Sequence, residues 1–353
     1  MSRFWMVSFI LVLISLTACT TGTSTDYPLA EPGPYHVGVI KMVTYVDESR
    51  GDKEVTLTIW YPTASEEATG IDALTDAAPD MSGAPYPLIL SSSKMGFTFA
   101  PLLVSHGFTY MGVNSQDSKI PWGNFIIDYP REMLFGFQQL ADNPPASLTG
   151  VIDSNNVGAT GYSFDSFTSL VLGGARVDPE YYLEKCAKAK PKKPIPPEWW
   201  IEYICTPSYN WEAFSNNAGE SITSSSDGLW QAITDERIKA VIPMAPEGAW
   251  MFGERGLAAV DIPVMIIGAE KDEANFYDLE ASVIFRNLGA EEKVMITFLD
   301  QGHMMVYDQE MVTRMKHFAV AFFGYHLQGN ETMAEFFSKD FVLDHAGLDW
   351  GIH

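Results

Sequence analysis

Six short apolar runs recur along this 353-residue chain, separated by polar or helix-like sequence. They are nearly continuous in apolar character, which is typical of parallel strands buried on both faces. The amphipathic stretches between them predict helices, most clearly over residues 128–142. Strands and helices that alternate in this way predict an α/β fold with a mostly parallel, doubly wound sheet. The runs lie at residues 86–91, 108–113, 157–160, 238–245, 264–268 and 293–299.

Two segments depart from this alternation. Residues 37–40 and 55–62 alternate apolar and polar side chains around a turn-like connection, which predicts an antiparallel hairpin at the N-terminal edge of the sheet. Residues 176 to about 230 form a long stretch rich in proline and tryptophan, without a regular period. A segment of that length inside a compact fold predicts an inserted cap rather than a loop.

The N-terminus is typical of a targeting segment. Residues 1–18 combine Arg3 with a short apolar run, which predicts a signal peptide that is excluded from the fold. The ending Leu16-Thr17-Ala18-Cys19 resembles a bacterial lipobox and predicts lipidation of Cys19, with ordinary cleavage as the alternative. Residues 19–34 then form a flexible tether to a domain over residues 35–353. We therefore expect an extracytoplasmic lipoprotein anchored in a membrane, in the periplasm or at the cell surface.

Charge and cysteine usage narrow the possible partners. The formal net charge of −23 offers no basic patch for phosphates, so a nucleic-acid partner is not expected. Outside the cytoplasm Cys186 and Cys205 can form a disulfide within the insertion, or they can remain two buried thiols. Neither cysteine has a nearby histidine or cysteine in sequence, so no metal site is expected there.

Ser163 follows the apolar run 157–160 and precedes a helix-like stretch. The surrounding Gly161-Tyr162-Ser163-Phe164-Asp165 matches the pattern G-x-S-x-G except at Asp165. A serine on a sharp strand-to-helix turn has its hydroxyl exposed, where a histidine can reach it. The N–H of the next residue, Phe164, then points toward a developing oxyanion. The pattern predicts Ser163 as a nucleophile.

An acid and a base follow two later strands. Asp272 comes just after run 264–268, and His303 just after run 293–299. The carboxyl ends of parallel strands gather at one edge of a sheet, so these side chains can meet Ser163 despite their separation along the chain. His303 would act as the general base and Asp272 would orient it. Glu270 and Glu273 are alternatives for the role of Asp272.

Several segments together resemble the α/β-hydrolase esterases of the platelet-activating-factor acetylhydrolase and dienelactone-hydrolase-like group. The resemblance covers residues 37–327 and implies an α/β-hydrolase fold with a serine esterase activity. It also implies a second oxyanion donor, the amide of Met95, because relatives carry Ser-His-Gly-Leu-Gly where this chain has Ser92-Ser93-Lys94-Met95-Gly96. The segments that carry it are Ile59-Trp60-Tyr61-Pro62, the strand 87–91, the Ser163 turn, residues 235–241, Gly302-His303-Met304 and residues 321–327.

The sequence therefore predicts a serine carboxylic-ester hydrolase that acts through an acyl-enzyme and needs no cofactor or metal. The resemblance implies short-chain or lipid-derived ester substrates. Two alternatives remain open. One is a polyester, cutin or aryl esterase of the same fold, and the other is a catalytically silent surface lipoprotein that binds ligands or partners through the former site.

Overall fold

The computed structural model describes residues 26–65, 67, 69–114 and 123–353. These residues form an α/β fold in which one mostly parallel sheet of ten strands has helices on both faces. The predicted signal peptide and Cys19 lie outside the described residues, as does most of the predicted tether. Among the described helices, none combines the length and the apolar character needed to cross a bilayer.

The sheet has the order β10-β9-β8-β7-β6-β4-β5-β2-β1-β3. Strands β9 to β5 in that order pair in parallel, which confirms the predicted α/β class. β1 and β2 form the predicted antiparallel hairpin, although the two-residue β3 lies outside it at the edge. The strands are β1 (His36–Asp47), β2 (Lys53–Thr63), β3 (Leu74–Thr75), β4 (Tyr86–Ser92), β5 (Thr109–Val113), β6 (Ile152–Tyr162), β7 (Ile238–Met244), β8 (Val264–Ala269), β9 (Lys293–Phe298) and β10 (Leu348–Trp350).

Helices bury two apolar clusters, one on each face of the sheet. Phe99 and Phe322 mark the face covered by the first and the longest helices, and Phe137 and Phe167 mark the opposite face. Each of these four side chains is almost fully buried. The helices outside the insertion are α1 (Ser93–Ser105), α2 (Phe125–Asp142), α3 (Phe164–Leu172), α8 (Ala249–Leu257), α9 (Ala281–Asn287), α10 (Gln309–Gln328) and α11 (Lys339–Asp344).

The insertion is helical rather than irregular. It contains α4 (Pro179–Lys188), α5 (Glu198–Ile204), α6 (Trp211–Ala218) and α7 (Glu220–Thr223). The structure joins Cys186 and Cys205 in a disulfide that links the end of α4 to the end of α5. Trp200 of α5 packs edge-on against Trp250, with ring centroids 5.0 Å apart, and also contacts Phe276. Trp250 and Phe276 follow β7 and β8, so the insertion lies toward the carboxyl ends of these strands.

Helix α9 begins only at Ala281, although β8 already ends at Ala269. The preceding residues form turns that leave β8 and return to the sheet. Asp272 stabilises this path, since its carboxylate accepts hydrogen bonds from the backbone N–H groups of Ala274 and Asn275. A carboxylate that accepts neighbouring amides competes with helix formation.

Candidate active site

Ser163 lies on a strained turn between β6 and α3. Its backbone has φ 55° and ψ −123°, in the left-handed half of conformational space that side-chain-bearing residues rarely adopt. Gly161 permits this turn, because a Cβ at that position would lie 2.1 Å from the carbonyl oxygen of Asp165. The turn therefore raises the serine hydroxyl above the carboxyl end of the sheet, at the position that the sequence pattern predicts.

The structure brings Ser163, His303 and Asp272 into one hydrogen-bonded chain. His303 Nε2 lies 2.8 Å from Ser163 Oγ, and its Nδ1 lies 2.9 Å from Asp272 Oδ2. A carboxylate only accepts hydrogen bonds, so Nδ1 carries the proton and Nε2 is left as the acceptor that faces the hydroxyl. The side chains of His303 and Asp272 are 14% and 3% exposed, which keeps competing water away from the pair.

The two alternative carboxylates hold the backbone of the histidine loop instead. Glu270 Oε2 accepts the N–H of Asp300 at 2.7 Å, and Glu273 Oε2 accepts the N–H of His303 itself at 3.0 Å. Asp272 alone among these three reaches the imidazole. Tyr162 adds a further restraint, because its hydroxyl donates to the carbonyl oxygen of His303 at 2.6 Å.

The charges around His303 raise the proton affinity of its imidazole. Burial by itself would lower the pKa of His303, but the hydrogen bond and charge of Asp272, followed by the charges of Glu247 and Glu273, raise that pKa above its ordinary value. An imidazole with a raised pKa is a stronger base toward the Ser163 proton. The same shift requires a higher pH before His303 is neutral.

Glu247 and Glu280 are two buried acids near this site that the sequence analysis did not single out. Glu247 follows β7, and Glu280 precedes α9 with its Oε2 accepting the N–H of Ala249 at 2.8 Å. Burial, with the charge of Glu247 among the smaller contributions, raises the pKa of Glu280 well above its usual range. No motif marks either residue; only Glu247 could have been indicated by its position after a strand end, and Glu280 has no such signal.

The two predicted oxyanion donors differ in their surroundings. The N–H of Phe164 opens α3 and has no partner within its helix, as expected for a first helical residue. The Phe164 ring stacks on Phe125 of α2 at 5.2 Å. The N–H of Met95, in contrast, donates to Ser92 Oγ at 3.1 Å as part of the cap of α1. The Met95 amide is therefore engaged before any substrate arrives.

Within the described ranges, no group of three or more histidine, cysteine, aspartate or glutamate side chains is arranged to hold a metal ion. The two cysteines of the insertion are joined to each other. No family model matches this chain, and comparison with curated proteins found none that is similar to it in sequence.

Proposed function

We propose that this protein is a serine carboxylic-ester hydrolase of the α/β-hydrolase fold. The observation that carries the proposal is the continuous hydrogen-bonded chain from Ser163 Oγ through the His303 imidazole to the Asp272 carboxylate. The resemblance to the platelet-activating-factor acetylhydrolase and dienelactone-hydrolase-like group supports it. So does the strained backbone of Ser163, since such strain concentrates where a side chain must be presented to a ligand.

In the acylation step, Ser163 Oγ attacks the ester carbonyl carbon while its proton passes to His303 Nε2. Asp272 keeps the imidazole in the required tautomer and stabilises the positive charge that forms on it. The Phe164 N–H and the positive end of α3 stabilise the negative charge on the carbonyl oxygen. The tetrahedral intermediate then expels the alcohol, which takes the proton from His303.

In the deacylation step, a water molecule replaces the alcohol. His303 Nε2 takes a proton from the water as its oxygen attacks the acyl carbon, and the bond to Ser163 Oγ breaks. The proton returns to Ser163, and the carboxylic acid leaves. Each proton is accepted and returned by His303, so this cycle uses only residues of this chain and water.

The surroundings of the site favour an apolar acyl or alcohol group. Phe125 stacks on Phe164, the residue that follows Ser163. Met304 and Tyr307, just after His303, are 60% and 76% exposed. We infer that short-chain or lipid-derived esters are the substrate class, and that the N-terminal segment anchors the enzyme to a membrane outside the cytoplasm.

A series of p-nitrophenyl esters of increasing acyl length tests this proposal. We expect hydrolysis that declines with long acyl chains, and a loss of about 10⁴-fold or more in Ser163→Ala. Ser154→Ala, near the amino end of the same strand, is the matched control and should keep its activity. A preference for polyester films over soluble short esters would favour a polyester hydrolase. A folded protein without Ser163-dependent hydrolysis would favour the silent ligand-binding lipoprotein.

A further inference from the structure

Asp165 occupies the position where the G-x-S-x-G pattern has its last glycine, and its side chain reaches across to a neighbouring strand. Ser92 Oγ, at the end of β4, donates to Asp165 Oδ2 at 2.5 Å. The same Ser92 Oγ accepts the N–H of Met95 in the first turn of α1. A hydrogen-bonded chain therefore runs from the first turn of α1, through Ser92, to the carboxyl group that follows Ser163 and Phe164.

The Ser92–Asp165 hydrogen bond joins the start of α1 to the start of α3, the two segments that meet at the candidate active site. β4 and β6 are parallel neighbours, so the start of α1 lies beside the start of α3. Residues 92 and 165 are separated by 73 positions in sequence, and the Ser92–Asp165 hydrogen bond joins these two helix starts directly. A change in this bond would move the amides of the first turn of α1 relative to Ser163.

We propose that Asp165 is a positioning residue, which acts through Ser92 to hold the first turn of α1 against the Ser163 turn and does so most firmly when its carboxyl group is ionised. This inference rests on the proposed esterase activity. An ionised carboxylate accepts the Ser92 hydroxyl in a charge-assisted hydrogen bond, which is about twice as strong as a neutral one. It also fixes the direction of the hydroxyl proton, so the Ser92 lone pairs remain available to the Met95 N–H.

Burial makes the ionisation state of Asp165 sensitive to pH, and the groups that face it oppose this effect. Burial raises the pKa of Asp165 to about 6, against the opposing effects of the Ser92 hydrogen bond and of the positive charge of Lys94 from α1. From β5, the hydroxyl of Tyr110 also faces it. Burial raises the pKa of Tyr110, and the charge of Asp165 adds to that rise, so the phenol stays neutral near pH 7. Asp165 is therefore the group of this cluster that changes charge near pH 6.

Because the pKa of Asp165 is raised, an increase in pH should raise the activity of the protein and lower its stability. The unfolded carboxyl titrates at its ordinary, lower pKa, so the folded protein binds the Asp165 proton more tightly than the unfolded chain. The stability from this proton is complete below the unfolded pKa, and it is lost as the pH rises through about 6. An uncharged Asp165→Asn variant should then be at least as stable as the wild type at about pH 8, yet less active.

The test compares p-nitrophenyl acetate hydrolysis by the wild type, Asp165→Asn and Ser92→Ala from about pH 5 to 9, read at the isosbestic wavelength of p-nitrophenol. At about pH 8 we expect kcat to fall about tenfold in both variants with little change in KM. Below about pH 6 the wild-type log(kcat/KM) should reach a slope of about 1.5 against pH, because His303 must be deprotonated and protonation of Asp165 costs a further factor of about ten. Both variants should keep a slope of about 1.

Hydrogen exchange at the Met95 amide gives a readout that does not depend on turnover, and both variants should lose protection there. Asp153→Asn, on the amino end of β6, is the matched control and should match the wild type in each measurement. Ser92→Thr keeps a hydroxyl and should restore the steeper slope. If the wild type and Asp165→Asn had equal slopes and equal kcat, the positioning role of Asp165 would be overturned. The esterase proposal would not be affected by that result. An inactive wild type would overturn the esterase proposal, and the role of Asp165 with it.

Discussion

Replacement of Asp272 by asparagine should inactivate the protein through the tautomer of His303 rather than through unfolding. Asp272 Oδ1 accepts the N–H groups of Ala274 and Asn275 at 2.9 and 2.7 Å. In Asp272→Asn only the amide oxygen can take that place, because two N–H donors would repel the amide NH₂ group. The NH₂ group must then face His303 Nδ1, which forces the proton of the imidazole onto Nε2. The ring can no longer accept the Ser163 proton.

The expected fall in kcat/KM of Asp272→Asn follows from the loss of two stabilising interactions. Reversing the tautomer breaks the new hydrogen bond at Nδ1, at a cost of about 1–2 kcal/mol. Removing the carboxylate also removes its attraction for the imidazolium, about 4 kcal/mol at roughly 4 Å with an effective dielectric constant of about 20. The sum of about 5–6 kcal/mol corresponds to a fall of about 10⁴-fold in kcat/KM.

The assay is p-nitrophenyl acetate hydrolysis at about pH 8, with circular dichroism and urea titration to verify folding. Asp300→Asn is the matched control, since that carboxylate lies three residues before His303 but its side chain is 78% exposed. It should retain wild-type kcat/KM within about twofold. Asp272→Ala should be no less active than Asp272→Asn, because it lacks the misplaced donor. If folded Asp272→Asn kept more than about a tenth of the wild-type kcat/KM, the tautomer argument would be refuted.

Three further predictions concern the surroundings of the site. The charge of Glu247 contributes to the raised pKa of His303, so the acid limb of the kcat/KM profile should lie above pH 6.5 and should move to lower pH in Glu247→Gln. An acid limb that stays in place or moves to higher pH would count against this contribution. Gly161→Ala places a Cβ 2.1 Å from the Asp165 carbonyl oxygen and should cost about 10²-fold or more in kcat. Gly123→Ala, whose Cβ meets no atom of the described residues within 4 Å, should be silent. Cys186→Ser opens a loop with a sequence separation of 19 and should lower the free energy of unfolding by about 3 kcal/mol in urea titrations. An unchanged urea midpoint would refute the last of these.

The features that could be predicted from the sequence are those with a local signal. Apolar runs of strand length fix the parallel strands, and the positions of Ser163, Asp272 and His303 after strand ends place them at one edge of the sheet. The edge hairpin is indicated by alternating apolar and polar side chains on either side of a turn-like connection. These signals require no knowledge of distant contacts, which is why they predicted where the three side chains would meet.

The remaining features depend on contacts between distant segments. The sequence could not distinguish Asp272 from Glu270 and Glu273, because all three follow the same strand and only the path of the loop decides which one faces the imidazole. The sequence equally could not show that the Met95 amide donates to Ser92 Oγ. That hydrogen bond depends on the position of Ser92, which itself donates to Asp165 at the start of α3. Glu247 lacks any motif, and its importance follows from burial beside the site.

The intact mass of the protein after reaction with a fluorophosphonate tests most directly whether Ser163 is an activated nucleophile. This reagent phosphonylates only a serine that a nearby base activates. We predict one adduct per chain, located on Ser163 by peptide mapping, and none in Ser163→Ala or His303→Ala. A folded wild-type protein that stays unmodified, or that carries the adduct on another serine, would contradict the assignment of Ser163 as the nucleophile.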